Sequence, residues 1–144
     1  MPKKSTKDKK NYLEQKMTQI KKNIFKTIQV QIEPNTKPRM TQADKWKQRP
    51  AVMKYRNFCD ELRAKTAGFQ LSDNYTITFR ISMPKSWSKK KRDLMRDKPH
   101  QETPDLDNLL KAVNDALLEQ DKIIYQISAT KLWAETGEII IINN

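Results

Sequence analysis

The stretch Pro104-Asp105-Leu106-Asp107-Asn108-Leu109-Leu110-Lys111-Ala112-Val113-Asn114-Asp115-Ala116-Leu117 decides the architecture. Leu106, Leu109, Leu110, Val113, Ala116 and Leu117 recur at helical spacing, an apolar stripe that must face a core. Thr103-Pro104 reads as its start, with the threonine as cap and the proline in the first turn. Downstream, residues 122–133 and 138–142 read as two strands joined through Thr136-Gly137. Upstream, Tyr75, Ile77, Phe79, Ile81 and Met83 alternate along 75–83, a strand closed by Pro84. Before it, Val52, Tyr55, Phe58, Cys59 and Leu62 mark a helix after Pro50 that ends near Gly68, and residues 28–33 (IQVQIE) alternate as a first strand. Pro34 to Arg39 breaks the chain into a loop. Residues 85–100 form a cationic connection with room for a short helix over 88–96. The expected order is β-α-β-(basic loop)-α-β-β: one small α+β domain over residues 27–144, a mixed β-sheet with helices packed on it.

Residues 1–26 form a basic N-terminal arm. Its first eleven residues (MPKKSTKDKKN) show no apolar periodicity and are expected to stay disordered. Leu13, Met17, Ile20 and Ile24 then suggest an amphipathic helix over 12–25, or an arm that orders on a partner. The whole chain has 144 residues, 36% of them hydrophobic, with a mean hydropathy of -0.90. That is enough for one domain with a thin core. No run of about 18 apolar residues exists to cross a membrane, and no apolar stretch follows the basic N-terminus as a secretory signal requires. Cys59, the single cysteine, cannot form an internal disulfide and reads as a small buried hydrophobe. These features fit a reducing cytoplasm.

Charge is unevenly distributed. The 29 Lys and Arg exceed the 17 Asp and Glu, for a net charge of +12. Residues 1–100 carry 26 of the basic and 9 of the acidic side chains, whereas residues 101–144 carry 3 and 8. A basic body points to nucleic acid. Carboxylates concentrated in a phosphate-binding protein repel their ligand unless a cation stands between them. Asp105 and Asp107 flank a leucine where the chain enters its helix, so both can converge on one ion. Lys111 lies one turn beyond Asp107 on the same face, and Asp121 follows the helix just ahead of a strand. Magnesium takes oxygen ligands and keeps several waters, so two or three carboxylates with substrate phosphate suffice, and no Cys/His cluster points to zinc. On spacing alone the same residues also fit helix-dipole stabilisation and an ordinary surface ion pair. Asp115, on the polar side mid-helix, fits a solvated face, a supporting contact or a further metal ligand.

The run 104–117, followed by Asp121 and the strand ending at Lys131, resembles the RusA family of Holliday junction resolvases. That family combines a D-x-D-N-x-x-K helix and a following D-A-L with an acid that leads a lysine-ended strand. The loop Lys37-Pro38-Arg39 is similar to the family's basic N-terminal segment, and the likeness spans roughly residues 27–135. Where the family has a paired Asp-Asp before the strand, this chain has Gln120-Asp121 after a shorter connection. The resemblance implies a small homodimeric nuclease, phage- or prophage-encoded, that works in a bacterial host and resolves four-way junctions with magnesium or manganese. It implies that Asp105, Asp107 and Asp121 bind the metal and that Lys111 is the essential lysine.

Basic residues would follow the DNA backbone: Lys37 and Arg39 in the first loop, and Lys85, Lys89, Lys90, Lys91, Arg92, Arg96 and Lys98 ahead of the acids. Their alternative is a solvated face. Trp46 and Trp87 lie in lysine-rich stretches suited to stacking on unpaired bases, or else pack in the core or a dimer. Trp133 reads as structural and His100 as a loop histidine without a role. Two other functions fit the pattern: a related branched-DNA or flap nuclease, and a DNA-binding or packaging accessory protein whose acid helix is only structural.

Overall fold

The computed structural model describes residues 6–24 and 26–144. Four helices, α1 (Thr6–Ile24), α2 (Pro50–Lys65), α3 (Lys89–Met95) and α4 (Leu106–Leu117), accompany four strands, β1 (Thr27–Val30), β2 (Asn74–Ser82), β3 (Gln126–Ala134) and β4 (Glu138–Asn143). The sheet order is β1-β4-β2-β3. β4 pairs antiparallel with both β1 and β2, and β3 runs parallel to β2. The protein is thus an α+β domain with a mixed sheet, as the alternating strands and the leucine stripe require.

β2 shows why one face of the sheet carries the core. Tyr75, Ile77, Phe79 and Ile81 are buried, while Thr76, Thr78, Arg80 and Ser82 between them are half exposed. The buried row meets Leu109, Ala112, Val113 and Ala116 of α4 and Tyr55, Phe58, Cys59 and Leu62 of α2 in a single cluster. The parallel β2–β3 pair demands a crossover. α3 and α4 lie within it, so the acid-bearing helix is the returning limb of a β-α-β unit. That limb sets its N-terminus against the later part of β3.

Several expectations change at the edges of elements. Residues 6–11 of the expected disordered tail are helical, because α1 begins at Thr6 and runs through good helix formers. Its expected apolar stripe finds no cover among the described side chains: Leu13 and Met17 are more than half exposed. The side chains of Ile20 and Ile24, and Phe25 entirely, lie outside the described residues. β1 ends at Val30 rather than residue 33, and residues 122–125 form a 3-10 turn and its exit rather than the start of β3. The cap of α4 is Asp105, not Thr103; the Thr103–Pro104 peptide is cis and Pro104 precedes the helix.

Candidate active site

The cap residue Asp105 has an extended backbone, and its carboxylate makes no capping hydrogen bond. An aspartate in that position ordinarily accepts from the free amides of the first turn. Asp107 follows in the first turn of α4, so the two acids stand on either side of the helix boundary. Both are exposed. Lys111 lies one turn on, its Nζ 4.0 Å from Asp107 Oδ2. Asp105 and Asn108 line an open cleft of about 520 Å³. Its opposite wall is the loop after β1, with Glu33, Asn35 and Thr36, and Lys54 of α2.

A lysine distant in sequence fixes this corner. Lys131 of β3 donates to the carbonyl oxygens of Glu102 and Pro104, both at 2.7 Å. The backbone immediately ahead of Asp105 is therefore tied to the sheet. Reading the sequence left Lys131 as the end of a motif; its two acceptors lie 29 and 27 residues away, a contact that no local spacing reveals. Asn35 and Lys54 reach the same cleft from segments that no local spacing joins to the acids. Glu33 has a further constraint: its Oε1 accepts from Ser82 N at 3.1 Å, and a Cβ on Gly137 would fall 2.5 Å from Glu33 Cα. Glycine in the β3–β4 turn is what lets this wall of the cleft approach.

Asp121 stands elsewhere. It opens the 3-10 turn Asp121–Ile123 beyond the C-terminus of α4, a helix of 12 residues and so about 18 Å long at about 1.5 Å per residue. The three residues between Leu117 and Asp121 cannot cover that distance in return. β3 agrees, because its start at Gln126 pairs with Asn74, and only five residues later does Lys131 reach Pro104, about 17 Å along the strand. Within one chain the structure brings together Asp105, Asp107 and Lys111, and leaves Asp121 at the other end of the helix. Among the described residues no three His, Cys, Asp or Glu side chains are grouped to hold a metal.

Asp115 accepts from Tyr55 Oη at 3.1 Å and pairs with Lys37 at 2.6 Å. It ties the basic loop to the polar face of α4, and burial together with the nearby Asp115 charge pushes the Tyr55 hydroxyl up. Tyr75 donates to Asn114 Oδ1, and burial raises its hydroxyl to about 12.

The expected basic track divides into two groups. Arg92 donates to the carbonyls of Trp87 and Pro84 and pairs with Glu135, and Arg96 pairs with Asp93 and Glu135. Both arginines hold the 85–98 segment in shape. Lys91 lies over the Trp87 ring, 4.1 Å from its centroid. Lys85, Lys89, Lys90 and Lys98 are exposed, as is Arg39. Trp87 packs against Trp133 in a tilted contact with ring centroids 4.7 Å apart, and the His100 ring centroid lies 4.0 Å from that of Trp133. His100 lies in the connection ahead of α4, but packed against Trp133 rather than facing solvent. It is 4% exposed, its backbone N–H donates to Lys131 O, and its Nδ1 is the one buried side-chain polar atom without a partner among the described residues. Burial, with Lys131 nearby, depresses its pKa.

A family model described as endodeoxyribonuclease RusA matches residues 30–142 of the chain. No curated protein matches it.

Proposed function

The chain belongs to the RusA endodeoxyribonuclease family, whose activity is the cleavage of Holliday junctions, and from that premise we propose a metal-dependent, structure-specific endonuclease that resolves four-way junctions by paired, symmetric nicks. The observation that carries the reading is the corner built from Asp105, Asp107 and Lys111. Asp105, released from its capping duty, lines a cleft, and two residues on, the exposed Asp107 carries a lysine beside it, in a strongly basic protein. The donor set fits magnesium, with manganese as the alternative. Both are hard cations content with one or two carboxylates, water and substrate phosphate. Asp105 and Asp107 would hold the ion. When bound, such an ion supplies Lewis-acid stabilisation of the phosphodiester and acidifies water.

The chain's own groups do the rest. Lys111 brings positive charge to the phosphate as negative charge grows on it. Lys131 fixes the backbone that carries Asp105. The exposed lysines of the 85–98 segment and Arg39 hold the DNA backbone without reading its sequence. Paired nicks call for two such sites related by a two-fold axis, hence a homodimer. β3 lies at the edge of the sheet, with Ile123 and Tyr125 exposed just ahead of it. Such an edge suits a second copy of the chain. The setting is the cytoplasm of a bacterial host, and no helix among the described residues is long and apolar enough to cross a membrane.

The deciding experiment incubates the protein with a synthetic four-way junction and magnesium. Nicks at symmetric positions in opposing strands support the reading, and an intact junction despite tight binding defeats it. Equal cutting of flaps would reassign the protein as a broader branched-DNA nuclease.

A further inference from the structure

Trp46 is 72% exposed. A lone exposed apolar side chain on a surface is ordinary, but the turn that carries this one is fixed with unusual care. The 3-10 turn Gln42–Lys45 directly precedes it. Asp44 in that turn is 3% exposed although Gln42 and Lys45 face solvent. Its carboxylate accepts from Thr41 N and Arg49 Nη2, each at 2.7 Å, and from Thr41 Oγ1 at 3.1 Å. Arg49 Nε donates to its other oxygen at 2.7 Å. Arg49 Nη2 also donates to Arg39 O, and Arg56 of α2 donates to Asp44 O at 2.9 Å. Every one of these bonds holds backbone or polar groups, and none covers the indole.

Trp46 lies between the exposed Lys45 and Lys47, with exposed Arg39 joined to the same network through its carbonyl. The network passes through Arg49 into the first turn of α2. There Pro50 and Lys54 line an apolar cleft of about 480 Å³, and Lys54 also lines the cleft that holds Asp105. Trp87 and Trp133 are spent on each other. Trp46 therefore differs from both in presenting an uncovered aromatic face among cations, carried by a turn whose backbone is fixed and which leads through Arg49 into α2, the helix that supplies Lys54 to the acid-bearing cleft. A cationic surface interrupted by an aromatic face suits a nucleic-acid strand whose bases are unstacked, with phosphates on the lysines and a base on the ring.

We infer that Trp46 is a base-stacking residue for unpaired nucleotides at the branch point of the DNA substrate, with Lys45 and Lys47 gripping the adjoining phosphates. This rests on the branched-DNA reading above. A turn whose backbone is already fixed leaves less freedom to be lost when its ring stacks. Fully paired duplex offers the ring no base, so the contact separates branched from linear DNA.

The test measures binding in calcium without magnesium, so that it does not depend on cutting. Replacing Trp46 by Ala should weaken binding to an open four-way junction by about tenfold, one base stacked, and leave linear duplex within about twofold. Trp46→Phe should keep most of the junction affinity. Junction, but not duplex, should quench tryptophan fluorescence, and the Phe variant should lose that quenching because Trp87 and Trp133 are packed together. Equal losses on both DNAs, or unchanged junction binding, would overturn the inference. A changed oligomeric state of Trp46→Ala in sedimentation would assign the ring to a protein interface instead. Wild-type protein that shows no preference for the junction over duplex would defeat the branched-DNA reading itself; a preference that survives in Trp46→Ala defeats only the role of Trp46.

Discussion

At the scale of single residues, the acids and the groups that position them have separable effects. Asp107→Asn should reduce junction cutting by about 10²-fold or more while metal-free binding is kept or tightened, since one negative charge has left a phosphate-facing surface. Lys131 touches no reacting atom in this reading, so its loss should look different. Lys131→Met frees the carbonyls of Glu102 and Pro104 and should raise the magnesium concentration needed for half-maximal cutting, with a rate loss of about tenfold at saturation and metal-free binding intact. Partial rescue by Lys131→Arg would support positioning. Asp44 offers a check through pH. Hydrogen bonds from Arg49 and Thr41 hold its carboxyl well below the usual carboxylate range. The folded state thus binds that proton less readily than the unfolded chain, and the resulting stability is complete above about pH 5 and declines as pH falls below about 4. Melting curves should show wild type ahead of Asp44→Asn by a steady margin from neutral pH to about 5, and the margin should shrink in more acidic buffer. Asp105, Asp107 and Lys111 were legible in the sequence because they lie within one helical turn and a half. Lys131 and His100 were not, because their partners come from a strand pairing that local spacing does not encode.

At the scale of elements, α4 and β2 were the most legible, since each carries its burial pattern in full. Leu109 is fully buried between the helix and the sheet, so Leu109→Ala should destabilise the fold by about 2–5 kcal/mol, measurable by denaturant titration. Element ends were less legible. Thr103 reads as the cap from its place before Pro104, yet Asp105 takes that position and the helix opens at Leu106. The cationic stretch read as uniform. Folding divides it, because Glu135 in the β3–β4 turn draws Arg92 and Arg96 inward and leaves the lysines outside.

At the scale of the whole molecule, topology decides what the motif alone left unsettled. Asp121 shares a segment with the other acids in sequence, but a parallel crossover sends the two ends of α4 apart. It can join the Asp105–Asp107 pair only from a second copy. A mixture of Asp107→Asn and Asp121→Asn proteins tests this. If the acid is shared across a dimer, mixed dimers contain one intact site and should nick one strand of a junction, whereas neither variant cuts alone. Absence of nicking in a mixture shown to contain mixed dimers would defeat the shared site, and cutting by Asp121→Asn protein alone would place Asp121 outside the reaction. The order of the strands has a different kind of consequence. β4 is made last of the four, yet it lies inside the sheet and is the sole link between β1 and β2. A ribosome that has reached residue 137 has produced the acids and lysines of the proposed site and both members of the β2–β3 pair, but not the strand that joins β1 to them. A chain stopped at 137 lacks the central strand that unites the sheet and should show neither a cooperative melt nor any cutting.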